Sequence, residues 1–215
     1  MIGAAYVACI TRLASLPMQD YPNHVARAAV MADLLFHQGS SFGAYFQVHL
    51  AAMPYVLPDL VLMSLLEVFG LAVGTALFTS LALLSLPCAM YFYAQVRNCT
   101  PLARLFVFLL SLYLSTDWFF VAGFMAFRLA LALIVMSLAI ADLLRTRWST
   151  GLFTAHVLVL VAGYLTHLTA PLFVAVALGV SALIRLWAGT TTVRRESYLF
   201  APVAVLLMWH FGVVS

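Results

Sequence analysis

The run from Leu71 to Gln95 holds no charged side chain, and it is one of several long apolar runs in the chain. At about 1.5 Å per residue, a helix of that length outreaches a ~30 Å hydrocarbon core. The composition extends the constraint to the whole chain, which is 66% hydrophobic and 8% charged. A soluble domain carries roughly 25% charged residues, so this chain lacks the side chains to cover a water-facing surface. Strict alternation of apolar and polar residues is absent, which excludes barrel strands and leaves helices. The expected fold is therefore all-α, a polytopic transmembrane helix bundle forming a single transmembrane domain over 1–215. Cys9 and Cys88 lie inside apolar runs and read as small buried hydrophobes, and with Cys99 they show no metal-ligand spacing. The ten basic residues besides histidine are all arginine.

Length and punctuation mark the elements. The first span is read at Ile2–Leu16. Pro22 suits a first helical turn, where its missing N–H costs nothing, and a surface helix is expected from Pro22 to Phe36, with Val25, Ala29, Ala32 and Phe36 as its apolar stripe. Gly39–Leu57 reads as an outer loop, so that residues 17–58 form one outer segment. Pro58–Phe69 is apolar but short and carries Asp59 and Glu67, which fits a re-entrant or interfacial helix. Six further spans are expected at Leu71–Gln95, Leu102–Leu114, Phe119–Leu144, Leu152–Thr166, Pro171–Leu186 and Leu199–Val214. That makes about seven spans. Under this partition Arg97, Arg104, Arg145, Arg147, Arg185, Arg194 and Arg195 share one side, the cytoplasmic one by the arginine bias. Asp20, Asp59, Asp117 and His167 fall on the other.

The polar run Gln19-Asp20-Tyr21-Pro22-Asn23-His24-Val25-Ala26-Arg27 is unusual in so apolar a chain. Asp20 reads either as a general base or metal ligand, or as an acid favoured by the helix start. His24 and Arg27 are three apart and share a helical face, suited to an anionic headgroup, a phosphate or ordinary anionic lipid. Arg128 lies 11 residues beyond Asp117. Within one continuous helix that is about 16 Å of depth, where a guanidinium costs at least ~2.5–3.5 kcal/mol unless partnered. It reads either as a clamp on phosphate or as an ion pair with Asp59, Glu67 or Asp117. Asp117 precedes Trp118 as a helix cap. His167 occupies a tight outer turn, as a backbone-bonded residue or a site residue. His156 and His210 lie within spans and are expected to bond across helices.

There is no phosphate-binding glycine loop, His-Glu-x-x-His motif or nucleophile elbow. A basic soluble face for nucleic acid is also lacking. The outer acid directly after a first span, followed by a surface helix and then multiple spans, resembles the polytopic GT-C glycosyltransferases. The closer resemblance is to uncharacterised bacterial multi-spanning proteins related to them. It is carried by Asp20, Pro22, Asn23, His24 and Arg27, by Gly123-Phe124, and by the turn from His167 to Pro171. Two features differ from the GT-C pattern. Those enzymes are usually about twice this length or more, and many carry two adjacent acids where Asp20 stands between Gln19 and Tyr21.

The resemblance implies a membrane glycosyltransferase of a bacterial inner membrane. It would move a sugar from a polyprenyl-phosphate carrier to an acceptor at the outer leaflet. Asp20 would act as base or ligand of a divalent metal, with His24 and Arg27 on the carrier phosphate; Asp117, Arg128 and His167 complete the candidate binding set. The expected partners are a lipid-linked sugar donor and membrane lipid. The competing expectation is a transporter, flippase or assembly subunit for lipid-linked glycans, in which intramembrane charges line a path to both faces.

Overall fold

A computed structural model describes residues 20–37 and 40–214, and every regular element among them is helical. They are α1 (Tyr21–Phe36), a 3-10 turn (Ser41–Ala44), α2 (Val56–Val96), α3 (Pro101–Leu114) and the single turn α4 (Trp118–Val121). Then come α5 (Met125–Thr146), α6 (Thr150–Thr166), α7 (Thr169–Trp187), α8 (Val193–Trp209) and a π-helical turn (His210–Val214). The expected first span, Ile2–Leu16, lies outside the described residues.

Among the described residues, three helices are long and apolar enough to cross a bilayer: α2, α5 and α7. The runs read as spans at Leu102–Leu114 and Leu152–Thr166 form the shorter apolar helices α3 and α6. Local signals explain their starts. Thr100 accepts from the Ala103 N–H at 3.3 Å and is followed by Pro101, while Ser149 accepts from Leu152 at 3.4 Å. Both arrangements satisfy a donor that a helix start leaves open.

α1 begins where Pro22 presets the backbone. It buries Tyr21, Ala28 and Ala32, whereas Ala29 and Phe36 of the expected stripe are exposed. The buried face is thus turned about one residue from that stripe, because the helix packs on α2 through its smallest side chains. Small residues let backbones approach closely.

The 41-residue α2 is not one rod. Gly70 sits at φ 74°, ψ 172°, a conformation essentially reserved for glycine. A Cβ on Gly74 would come within 2.7 Å of the Leu65 carbonyl oxygen, so the chain turns back sharply at this point. The part at 56–69 runs beside α1, in the same direction. Arg27 bonds Asp59 at 2.7 Å toward one end, and His37 lies 3.9 Å from Glu67 toward the other. The separate short helix and following span expected from the sequence are thus both present, joined through one residue.

α5 is the central helix, packing against α2, α6 and α7. Near its far end Asp142 receives Arg97 and Arg145 at 3.1 Å each, with Arg185 at 3.7 Å. Arg145 also meets Glu196 at 2.7 Å, both side chains only 7% exposed, and Arg195 donates to the Leu144 carbonyl at 3.3 Å. This knot ties the ends of α2, α5, α7 and α8. It gathers four of the arginines read onto one side, although their partners Asp142 and Glu196 were not anticipated. His156 of α6 bonds Ser137 of α5 at 3.4 Å and the Leu199 carbonyl of α8 at 3.3 Å, and His210 meets the Tyr164 hydroxyl at 3.3 Å. Cys88, expected to be buried, is exposed on the outside of the bundle.

Candidate functional site

At the opposite end of α5, α1 presents Asp20, His24 and Arg27 at four- and three-residue spacing on one face. Their side chains form a chain of contacts. His24 Nε2 lies 3.1 Å from Asp20 Oδ2, and Arg27 Nη2 lies 2.9 Å from His24 Nδ1. The same Arg27 nitrogen donates to Asp59 Oδ1 at 2.7 Å. Asp59, 8% exposed, comes from α2. Asp20 occupies the N-cap position of α1 without capping it, since its carboxylate turns to His24 instead of the helix amides.

The position of Asp20 depends on a break 100 residues downstream. The sequence reads as one span over Phe119–Leu144, but the chain leaves the helix after Val121 and re-enters it at Met125. Gly123 adopts φ 85°, and an added Cβ would lie 2.6 Å from the Tyr21 nitrogen. The Asp20 N–H donates to the Ala122 carbonyl at 3.1 Å. The backbone of the break is therefore the seat of the Asp20–Tyr21 segment.

The same break relocates Arg128. It lies in the first turn of α5 and donates to Asp117 Oδ1 at 2.6 Å, so the depth argued from a continuous helix does not apply. Asp117 also caps α4, accepting from the Phe120 N–H at 3.1 Å. Arg128 is fully buried, and among the described residues its Nε and Nη2 have no hydrogen-bond partner.

A cavity of about 1060 Å³ is lined by Asp20, His24, Arg27, Asp59, Tyr55 and His167, with Gln47, His49 and a mostly apolar remainder drawn from α1, residues 46–56, α4 and the start of α5. Asp117 and Arg128 are not among its lining residues. The sequence therefore placed four of its six candidates on the cavity wall. It missed Asp59 and Tyr55 on that wall, whose partners lie 32 and 112 residues away. No local pattern announces such pairs. Phe119, Phe127 and His167 form an aromatic wall, with ring centroids 4.7 and 5.6 Å apart. Among the described residues no group of three metal-ligating side chains is assembled. The Arg27 guanidinium itself stands between His24 and Asp59.

Residues 46–55 cover one side of the cavity and are held by two tyrosines. Tyr164 donates to the Ala52 carbonyl at 3.4 Å, and Tyr55, in a left-handed conformation at φ 73°, reaches His167 Nε2 at 2.8 Å. His167 Nδ1 accepts from the Thr169 N–H at 3.2 Å, so the neutral ring carries its proton on Nε2 and donates to the tyrosine oxygen. Burial pushes the His167 pKa below its ordinary value of 6.5. A histidine so shifted binds fewer protons in the closed form than in an open one. Its closed form is thus undisturbed above about pH 6.5 and loses stability as the pH falls below it. Protection factors within 46–55, exchange rates corrected for their intrinsic pH dependence, are expected to fall as the pH is lowered from 7.5 to 5.5. In His167→Gln that pH dependence should be absent.

Comparison of the chain with protein-family models, with curated proteins and with solved structures gives no match.

Proposed function

We propose that this chain is a membrane glycosyltransferase that takes a sugar from a polyprenyl-phosphate carrier at the outer leaflet. It is a multi-pass protein of a bacterial inner membrane, with about seven crossings once Ile2–Leu16 and the shorter helices are counted. The observation that carries the reading is the graded stripe of α1 on the cavity wall. Asp20, His24 and Arg27 line its first two turns, and Met31 and Leu34 continue the same face. From Asp20 to Leu34 this is about 21 Å along the helix axis, polar at one end and apolar at the other. A lipid-linked sugar has the same grading, with a hydroxylated, phosphate-bearing head and a hydrocarbon tail. Carboxylates accept from sugar hydroxyls, a guanidinium fork suits phosphate, and aromatic faces such as those of Phe119 and Phe127 pack against the C–H faces of a sugar ring.

Charge distribution favours this over transport. Arg128 and Arg145 lie about 25 Å apart along α5, and the charged groups of the two ends belong to separate clusters. Between them lies a core of Ala130, Ile134, Leu160, Val174, Leu178 and Val203, without charge. A path for a charged headgroup would need polar groups through that region.

Asp20 belongs to the polar cluster that serves the reaction, so Asp20→Asn is expected to lower transfer by roughly 10²-fold or more while leaving carrier binding measurable. The check is transfer from radiolabelled polyprenyl-phosphate sugars by the purified chain in nanodiscs. Unchanged transfer in Asp20→Asn would remove Asp20 from the reaction. Movement of the carrier across vesicles without any transfer would favour the transport reading.

A further inference from the structure

The proton positions in the Asp20–His24–Arg27–Asp59 cluster follow from which groups can only donate. A guanidinium has no lone pair to offer, so the 2.9 Å contact between Arg27 Nη2 and His24 Nδ1 makes Nδ1 the acceptor. The neutral His24 ring therefore carries its proton on Nε2, aimed at Asp20 Oδ2 at 3.1 Å. This is the arrangement in which a carboxylate fixes an imidazole tautomer and stabilises the imidazolium that forms when the other nitrogen takes a proton. The other nitrogen faces Arg27, whose side chain is 49% exposed and whose bonded Nη2 is shared with Asp59.

We propose that His24 is the proton acceptor of this site, that Asp20 is its positioning residue, and that Arg27 masks Nδ1 until an anionic group draws the guanidinium away. The chemistry rests on the transferase reading, while the proton positions rest on the contacts alone. An imidazole is a stronger base than a carboxylate and is the side chain best matched to neutral pH. Asp20 already has one oxygen engaged by the ring. A phosphate entering the cavity competes for Arg27 by offering its fork two oxygens. Nδ1 is then free of its donor, with the Asp59 carboxylate oxygen 3.7 Å away. In the transfer step the acceptor hydroxyl passes its proton to Nδ1 as its oxygen bonds to the anomeric carbon. The bond from that carbon to the phosphate oxygen breaks, its electron pair leaves on the phosphate beside Arg27, and His24 returns the proton to water. An empty site keeps its base covered, and donor binding uncovers it.

The test needs no turnover, so its failure is distinct from failure of the transferase reading. The full chain in nanodiscs is treated with diethyl pyrocarbonate, and modification of each of the six histidines is followed by mass spectrometry. His24 is expected to react slowly in the wild type and at least several-fold faster in Arg27→Gln. In Asp59→Ala, which removes the anchor of the guanidinium, it should quicken by a similar factor. His156, fully buried, serves as the fold control and should stay unreactive in all three. Histidine nitrogen NMR of the wild type should show an unprotonated Nδ1 on His24. A His24 rate unchanged in both variants, or a proton found on Nδ1, would overturn the proposal. Where transfer is measurable, Asp20→Asn should lower kcat and alter the pH profile, and Asp20→Glu should restore part of both. A purely structural Asp20 would leave the profile unmoved.

Discussion

Gly123→Ala is expected to destabilise the protein by about 2–4 kcal/mol and to abolish whatever activity the outer cavity carries. Two costs combine. At φ 85° an L-residue is strained, and the new Cβ would meet the Tyr21 nitrogen at 2.6 Å and the Asp20 nitrogen at 3.1 Å. These are backbone atoms and cannot swing aside as a flexible side chain would. Relief requires Asp20 and Tyr21 to move off the break, which lengthens the 3.1 Å bond from the Asp20 N–H to Ala122 and displaces the carboxylate from His24. Thermal unfolding in detergent would register the first cost, and raised reactivity of His24 toward diethyl pyrocarbonate the second. A variant of wild-type stability with an unaltered His24 would mean that this close approach does not hold the site.

Asp117→Ala should cost about 3 kcal/mol, the lower end of the range for breaking a buried ion pair, because Asp117 is itself 36% exposed. The penalty comes from Arg128, left charged and fully buried. Two of its nitrogens already lack partners among the described residues, so the pair carries a large desolvation debt. Adding Arg128→Met to Asp117→Ala should therefore recover most of the loss, and Arg128→Met alone should cost less than Asp117→Ala alone. Loss of the α4 cap is a separate effect. Asp117→Asn can still accept from the Phe120 N–H, and in the Arg128→Met background the difference between Asn and Ala at this position isolates the cap. A double-mutant cycle of unfolding midpoints checks both points; simple additivity of the two substitutions would argue against the ion pair.

The sequence made legible what is local. The scarcity of charge pointed to a membrane protein and the absence of alternation to helices, Pro22 marked the start of α1, and the spacing of His24 and Arg27 put them on one face. The acids of 58–69 set that segment apart from the span that follows, as the Gly70 turn does in the structure. The break at Gly123 was not legible. A glycine in an apolar run packs helices as often as it ends them, and only the positive φ distinguishes the two. Missing that break misplaced Arg128, since depth was counted along a helix that does not continue. Asp59 reaching Arg27 and Tyr55 reaching His167 were beyond any periodicity argument, because both meetings depend on how whole helices are laid side by side. Asp142 and Glu196 show the same limit at the other end, where the arginines were legible as a group but their acids were not.

The turn at Gly70 has a consequence for how the molecule senses its medium. It lays the first part of α2 beside α1, where the linking groups are partly open: Arg27 is 49% exposed, His37 57% and Glu67 34%. At the far end, Arg145 and Glu196 are 7% exposed. Mobile ions screen the first kind of pair and scarcely reach the second. Ionic strength is therefore felt by the links around the cavity and scarcely by the Arg145–Glu196 pair. It loosens the frame around the cavity, and the half-exposed Arg97–Asp142 link with it, while the buried Arg145–Glu196 pair that ties α5 to α8 stays closed.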